Sequence, residues 1–483
     1  PAPAPAPTPA PAPAPAPATP PPPTTLPPLP AGSAELPLRR LSRAQYINAL
    51  QDVVRQTLPS QGATIAALVP GFASNFPADS MVNLAGERHG GFQRLDQAVQ
   101  QAHVDVAYDV ALKLADELAQ PARLGALMGS CATDGVATND DTCLRDFIRR
   151  AGRIAFRRPL TTAEVDTHRA IAGTTPVAPA AVADVIALML ASPQFMYLVE
   201  HGQPGVTTAR VPLTAHELAA RLSFHFWQTL PDAELAALAD NGQLLNATTY
   251  QAQVARLAAD SRSEASLREF IAQWFRLHEI EPLDSRLGDP VFDAFRGSFT
   301  PNRDTRQNAI NEVIDMAAWQ LRNGGSLQAM LGDRRSYART ADIAALYGTP
   351  VWDGSATPPT WGDASRSGLL TRVAFLATGS ATTRPIMKGY RIRSALLCQS
   401  LPPPPPDAPV AVPPVQGLTT REAVERLTEQ NPGCSGCHGM MNPLGYVSEN
   451  FDALGRTRSS QRLFDASGAV VGDRPVNSWP RRA

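Results

Sequence analysis

The distribution of proline constrains this chain most. Of its 47 prolines, 16 lie within Pro1–Pro30 and eight more within Pro402–Pro414. Proline has no backbone N–H and a fixed φ, so neither stretch can enter a helix interior or a strand ladder. The Ala-Pro repeat Pro1–Pro17 and its Pro/Thr/Leu continuation read as an extended polyproline II or disordered spacer, of the kind that holds a folded body away from an anchor. The second cluster reads as a rigid strap or boundary. Outside these clusters the proline share falls near the usual value of about 5%, so the rest of the 483 residues can be an ordinary globular protein.

Aromatics are only 6% of the chain, so most of its core must be Ala, Leu and Val. Lys and Arg number 43 against 44 Asp and Glu, a formal charge of −1. That balance excludes a protein that coats nucleic acid or an anionic membrane through bulk charge. No run approaches the roughly 18–20 apolar residues of a bilayer span.

Between the clusters the pattern is helical. Ser42-Arg43-Ala44-Gln45, Thr161–Glu164 and Thr214–Glu217 are capping boxes, each followed by apolar residues at helical spacing. Pro231–Glu234 and Thr419–Glu422 are further helix starts. Helices are predicted from about Phe92 to Leu118, over Leu144–Phe156, Ala180–Met189, Leu218–Trp227, Ala265–Phe275, Ala309–Leu321, Ala341–Leu346, Ser367–Ala377 and Lys388–Cys398. No alternating strands, Rossmann glycines or P-loop are present. The fold class expected is mainly α, with several helical bundle modules in series behind a disordered Pro/Ala-rich tail. The expected segments are a spacer over 1–37, helical modules over 38–118, 119–205 and 206–348, a fourth over 349–416 ending in the strap, and a C-terminal unit over 417–483.

That last unit holds the one motif with sharp chemistry, Cys434-Ser435-Gly436-Cys437-His438. Two thiols at this spacing reach the two vinyl groups of one haem, while the adjacent imidazole reaches the iron as proximal ligand. A zinc site is the main rival, but a second Cys/His pair at ligand spacing is missing. A redox dithiol lacks a thioredoxin-like βαβ context, and a structural disulfide is the remaining reading. For the sixth iron position, Met440 and Met441 fall on the proximal side, and Met387 could reach from another segment. His225, within Phe224–Trp227, is the most notable of the other histidines. Cys131 and Cys143 bracket a loop of turn formers, as a local disulfide would; closing it would stabilise by about 3 kcal/mol in the chain-entropy model. Two buried free thiols are the alternative. Cys398, ending an apolar helix, reads as a buried core thiol. Arg39-Arg40 and Arg157-Arg158 read as helix-end charges. No Ser-His-Asp set, HExxH or other catalytic group can be made out.

Several stretches together resemble a known family: Arg40–Asp52, Ala155–Thr161, Leu190–Phe195, Leu213–Phe224 with Leu230–Asp232, Arg384–Gly389 followed by Cys398, and Asn431–Gly445 followed by Glu449–Asp452 and Gly455-Arg456. In this order they resemble the planctomycete-type cytochrome c multidomain family, also found in myxobacteria, whose members string together five modules of poorly known function. The resemblance spans about Arg39 to Arg458. It implies an extracytoplasmic protein of the periplasm or cell surface, often tethered by a lipid anchor upstream of residue 1. It further implies one covalent haem c on Cys434, Cys437 and His438. Asn442-Pro443-Leu444-Gly445 and Asp452 match family positions that would shape the haem loop. Two departures stand out. Relatives commonly carry a His in the turn before Arg384, where this chain has Ala377–Ser380. The family pattern also runs on past Val476–Ala483, which implies a shortened last module. The function expected is haem-dependent electron transfer, or the electron outlet of an oxidoreductase, with a redox protein or an exported polymer as partner and no nucleic acid. The alternative is a cell-surface binding or scaffold protein with a structural Cys pair and no catalysis.

Overall fold

In the computed structural model, which describes residues 38–82, 94–206, 210–399, 401 and 417–478, helices dominate and the only sheets among the described residues are two-stranded. The spacer over 1–37 and the strap over 402–414 lie outside the described residues.

The first core is built by α1 (Arg43–Thr57), α2 (Gln101–Leu118), α3 (Asp140–Phe156) and α4 (Pro179–Ala191). The Ser42 hydroxyl accepts from the Gln45 N–H and the Gln45 amide oxygen accepts from the Ser42 N–H, so α1 starts at its capping box. Its stripe Tyr46, Ala49, Leu50, Val53 and Val54 is fully buried. α4 is buried on nearly every side, with Val182, Val185, Ile186, Met189 and Leu190 in the core. A short antiparallel pairing of Leu38–Arg40 with Tyr197–Val199 joins the two ends of this region. Residues from both 38–118 and 119–205 therefore share one core. Arg157, in the left-handed conformation at the end of α3, turns inward and donates to the carbonyls of Gln194, Phe195 and Tyr197. Cys131 and Cys143 are joined as a disulfide, tying the start of α3 to the preceding turn.

A small second core forms around α5 (Ala215–Trp227), with Leu235, Leu244 and Leu257 from the helices that follow. The third surrounds α6 (Thr305–Arg322) and extends from Ile271 to Leu454. Inside it Glu312 and Arg372 pair with almost no exposure, and the Arg372 guanidinium lies against the rings of Tyr337 and Trp361.

Three predicted helices differ. α2 begins at Gln101 rather than near Phe92, because Gln100 and His103 cap it there and Arg94–Leu95 pairs with Met81–Val82 instead. Ser367–Ala377 is broken into Leu369–Thr371 and Val373–Leu376. Gly368 has φ +66° and Arg372 is extended, which carries its side chain into the core toward Glu312. Cys398 is exposed, not a core thiol: the last turn widens to i→i+5 bonding over Ile392–Leu396, and Cys398 leaves it at φ +52°. No helix among the described residues is long and apolar enough to cross a membrane.

Candidate cofactor site on the C-terminal helix

Two helices frame the Cys434–His438 motif: α7 (Pro385–Arg391) and α8 (Pro432–Tyr446). With four glycines and Pro443 inside it, α8 has little intrinsic helix propensity. Asn431 starts it by accepting the Gly433 N–H through its side chain at 3.0 Å. Packing against α7 then holds it. A Cβ built on Gly389 would lie 1.9 Å from the Met441 carbonyl oxygen, and one on Gly445 would lie 1.9 Å from that of Pro385. The two backbones thus touch at two points, running in opposite directions, and only glycine allows it.

Residues i, i+3 and i+4 share a helix face, so Cys434, Cys437 and His438 point the same way. Both cysteines are free thiols; Cys434 and His438 are half-buried and Cys437 is exposed. One turn further on, Asn442 is fully buried. Its Nδ2 donates to Thr428 Oγ1 at 3.0 Å and to Glu429 Oε1 at 2.9 Å. With both amide hydrogens spent, Asn442 Oδ1 faces His438 Nδ1 at 3.3 Å. The ring must therefore carry its proton on Nδ1, which leaves the Nε2 lone pair available to a metal. Tyr446 donates to the same Glu429 oxygen at 2.8 Å, and the Arg421 guanidinium stacks on its ring. Burial, then the Glu429 carboxylate, push the Tyr446 phenol well above its usual range, so it stays a donor. Thr428 and Glu429 come from another wide helical turn, Glu425–Glu429.

The surroundings fix the loop that follows. Asp452 accepts the backbone N–H groups of Leu454 and Arg456, each at 2.9 Å, and the Arg456 Nε at 2.7 Å. The turn Ala377–Ser380 bonds to it through the Thr378 N–H and the Ala453 carbonyl at 3.0 Å. Thr378 and Ser380 there spend their hydroxyls on the Thr382 carbonyl. Arg393, at the start of the Ile392–Leu396 turn, donates to the Met440 carbonyl beside the motif at 2.6 Å.

The other residues singled out from sequence lie elsewhere or stand open. His225 is exposed on α5, edge-on to Phe226. Met440 is exposed, and Met387 lines a cavity on another face of α7. Among the described residues no three His, Cys, Asp or Glu side chains are grouped to hold a metal ion, so zinc would lack further protein ligands. The partnership of His438 with Asn442, Thr428 and Glu429 was missed by sequence reasoning. The i,i+4 spacing of His438 and Asn442 was its only signal.

Three family models match, each described as a protein of unknown function. PSD5 (DUF1595) covers residues 143–200, PSD4 (DUF1592) residues 213–349, and PSCyt3 (DUF1588) residues 366–461. The last interval includes the whole Cys434–His438 motif and both α7 and α8. No curated protein and no solved structure matches. With these modules following one another along one helical chain, the protein belongs to the planctomycete-type cytochrome multidomain family.

Proposed function

We propose that this protein is an extracytoplasmic c-type cytochrome that passes electrons to or from a partner. In this reading Cys434 and Cys437 would hold one haem c through thioether bonds, and His438 would bind its iron through Nε2. The observation that carries it is the shared face of the three side chains, together with an imidazole whose Nδ1 is already engaged by Asn442. A ligating histidine needs such a partner to fix its ring and raise its basicity. When bound, a haem supplies one-electron redox chemistry.

The residues of the chain do the rest. The thiols are accessible for attachment, Cys437 being exposed and Cys434 half-buried. Asn442, itself clamped by Thr428 and Glu429, holds the ring in one tautomer. The open face of α8 leaves room for a redox protein or for an exported polymer undergoing oxidation. Location outside the cytoplasm is supported by the Cys131–Cys143 disulfide, since such bonds persist in oxidising compartments, and by the family.

A pyridine haemochrome spectrum on full chain matured in a haem-ligating host tests the proposal. One covalent haem per chain is expected, and none in the C434A/C437A variant. Folded, exported protein without covalent haem would sink the reading and leave a binding or scaffold role.

A further inference from the structure

A neutral amide stands between the His438 ring and a carboxylate. Asn442 Oδ1 faces His438 Nδ1 at 3.3 Å, and Asn442 Nδ2 donates to Glu429 Oε1 at 2.9 Å. The second amide hydrogen goes to Thr428 Oγ1, whose own proton goes to the Val424 carbonyl at 2.7 Å. Every donor and acceptor is thereby assigned, so the chain from His438 through Asn442 to Glu429 runs in one direction only. Asn442 is fully buried and Thr428 nearly so, which keeps solvent from interrupting it.

The far end of the chain carries the charge. Glu429 is half-buried, and Arg421, the cation over the Tyr446 ring, gives its Nε to Glu425 at 2.8 Å. A hydrogen bond to an anion is roughly twice as strong as a neutral one. Each bond in such a chain strengthens the next by roughly 10–30%. Drawing the Asn442 Nδ2–H toward Glu429 therefore raises the electron density on Oδ1, which in turn draws the His438 Nδ1 proton. The Nε2 lone pair becomes the stronger donor. Tyr446 opposes this effect, because its hydroxyl donates to the same Glu429 oxygen at 2.8 Å and takes up part of the charge.

We propose that Glu429 is a positioning residue that sets the donor strength of His438 Nε2 through Asn442, with Tyr446 as its counterweight. The inference rests on the reading of His438 as an iron ligand. A more electron-rich imidazole favours the oxidised metal, so Glu429 holds the midpoint potential down and Tyr446 holds it up.

Two variants of the full chain test it with opposite signs. E429Q keeps an oxygen for both donors and loses the charge, whereas Y446F keeps the charge and removes the competing donor. By NMR of haem-free, histidine-labelled protein, the His438 Nδ1–H proton should move upfield in E429Q and downfield in Y446F. In haem-loaded protein the midpoint potential should rise in E429Q, fall in Y446F, and return toward wild type in E429D. Should E429Q fail to fold, the downfield shift and lower potential of Y446F decide alone. An unmoved resonance, shifts of the same sign in both variants, or a potential that ignores both would each overturn the proposal. A wild type without covalent haem defeats the cytochrome reading by itself, and the haem-free resonance still decides the relay.

Discussion

Asn442 Oδ1 stands 3.3 Å from His438 Nδ1, while the same amide gives both its hydrogens to Thr428 and Glu429. The histidine ring is thus fixed by a residue on its own helix, which is fixed in turn by the preceding wide turn. Replacing Asn442 by Leu removes three contacts and leaves the buried Thr428 hydroxyl oxygen without its donor, while Glu429 keeps the Tyr446 hydroxyl. We expect N442L to lose about 1–3 kcal/mol in urea unfolding. Nitrogen NMR should show His438 as the Nδ1–H tautomer in wild type and as a mixture in the variant. An N442L protein of unchanged stability and unchanged tautomer would refute this linkage.

The crossing of α7 and α8 depends on two missing methyl groups. G389A and G445A each place a Cβ against a backbone carbonyl that cannot swing aside. Each should cost about 2–3 kcal/mol or more. Gly436 is the internal control, since a Cβ there meets nothing within 4 Å on the same helix. G436A should gain about 0.5–1 kcal/mol from helix propensity. Chemical denaturation of the three variants separates close packing from propensity, and three equal effects would contradict it.

How much of this was legible from sequence follows from range. The capping boxes at Ser42, Thr161 and Thr214 form as read, and the helix start read at Thr419 forms with a capping box too, because each is settled within four residues. The Cys434–His438 face needed only the period of a helix. Cys398 was misread because the apolar pattern through Leu396 and Leu397 does not reveal that the last turn widens and ends. The inward turn of Arg157, onto carbonyls some forty residues along the chain, leaves no local trace. Burial lowers its pKa to about 10, and three carbonyl acceptors make that burial tolerable. The pairing of Leu38–Arg40 with Tyr197–Val199 is likewise a tertiary fact that periodicity cannot encode.

Glu312 and Arg372 meet in the third core, where the carboxylate also accepts the Tyr337 N–H at 3.1 Å and the Tyr347 hydroxyl at 3.2 Å. Burial pushes the Glu312 carboxyl up, and Arg372 opposes that shift. Removing one partner leaves an uncompensated buried charge, which costs about 3–5 kcal/mol. R372M should therefore be strongly destabilised. Adding E312Q should recover part of the loss, because the second change removes the stranded charge. A double-mutant cycle in urea measures this coupling; additive losses would show that the two side chains act separately.

Lys388 gives the stability of the chain a pH dependence of definite sign. Its pKa is about 8 folded, against an ordinary 10.5, because burial disfavours the ammonium. Below pH 8 both folded and unfolded chains hold this proton, and the folded state bears the cost of a buried charge. Between about pH 8 and 10.5 only the unfolded chain still holds it, so this group's contribution to stability rises with pH. The rise amounts to on the order of 3 kcal/mol. The buried tyrosines Tyr46, Tyr337, Tyr347 and Tyr446, held protonated by burial, act in the opposite sense above about pH 10. They are common to wild type and variant, so the difference isolates Lys388. We expect K388M to be more stable than wild type at pH 7, with the gap closing as pH approaches 10. A gap independent of pH, measured by urea unfolding across that range, would show that Lys388 holds its ordinary pKa in the fold.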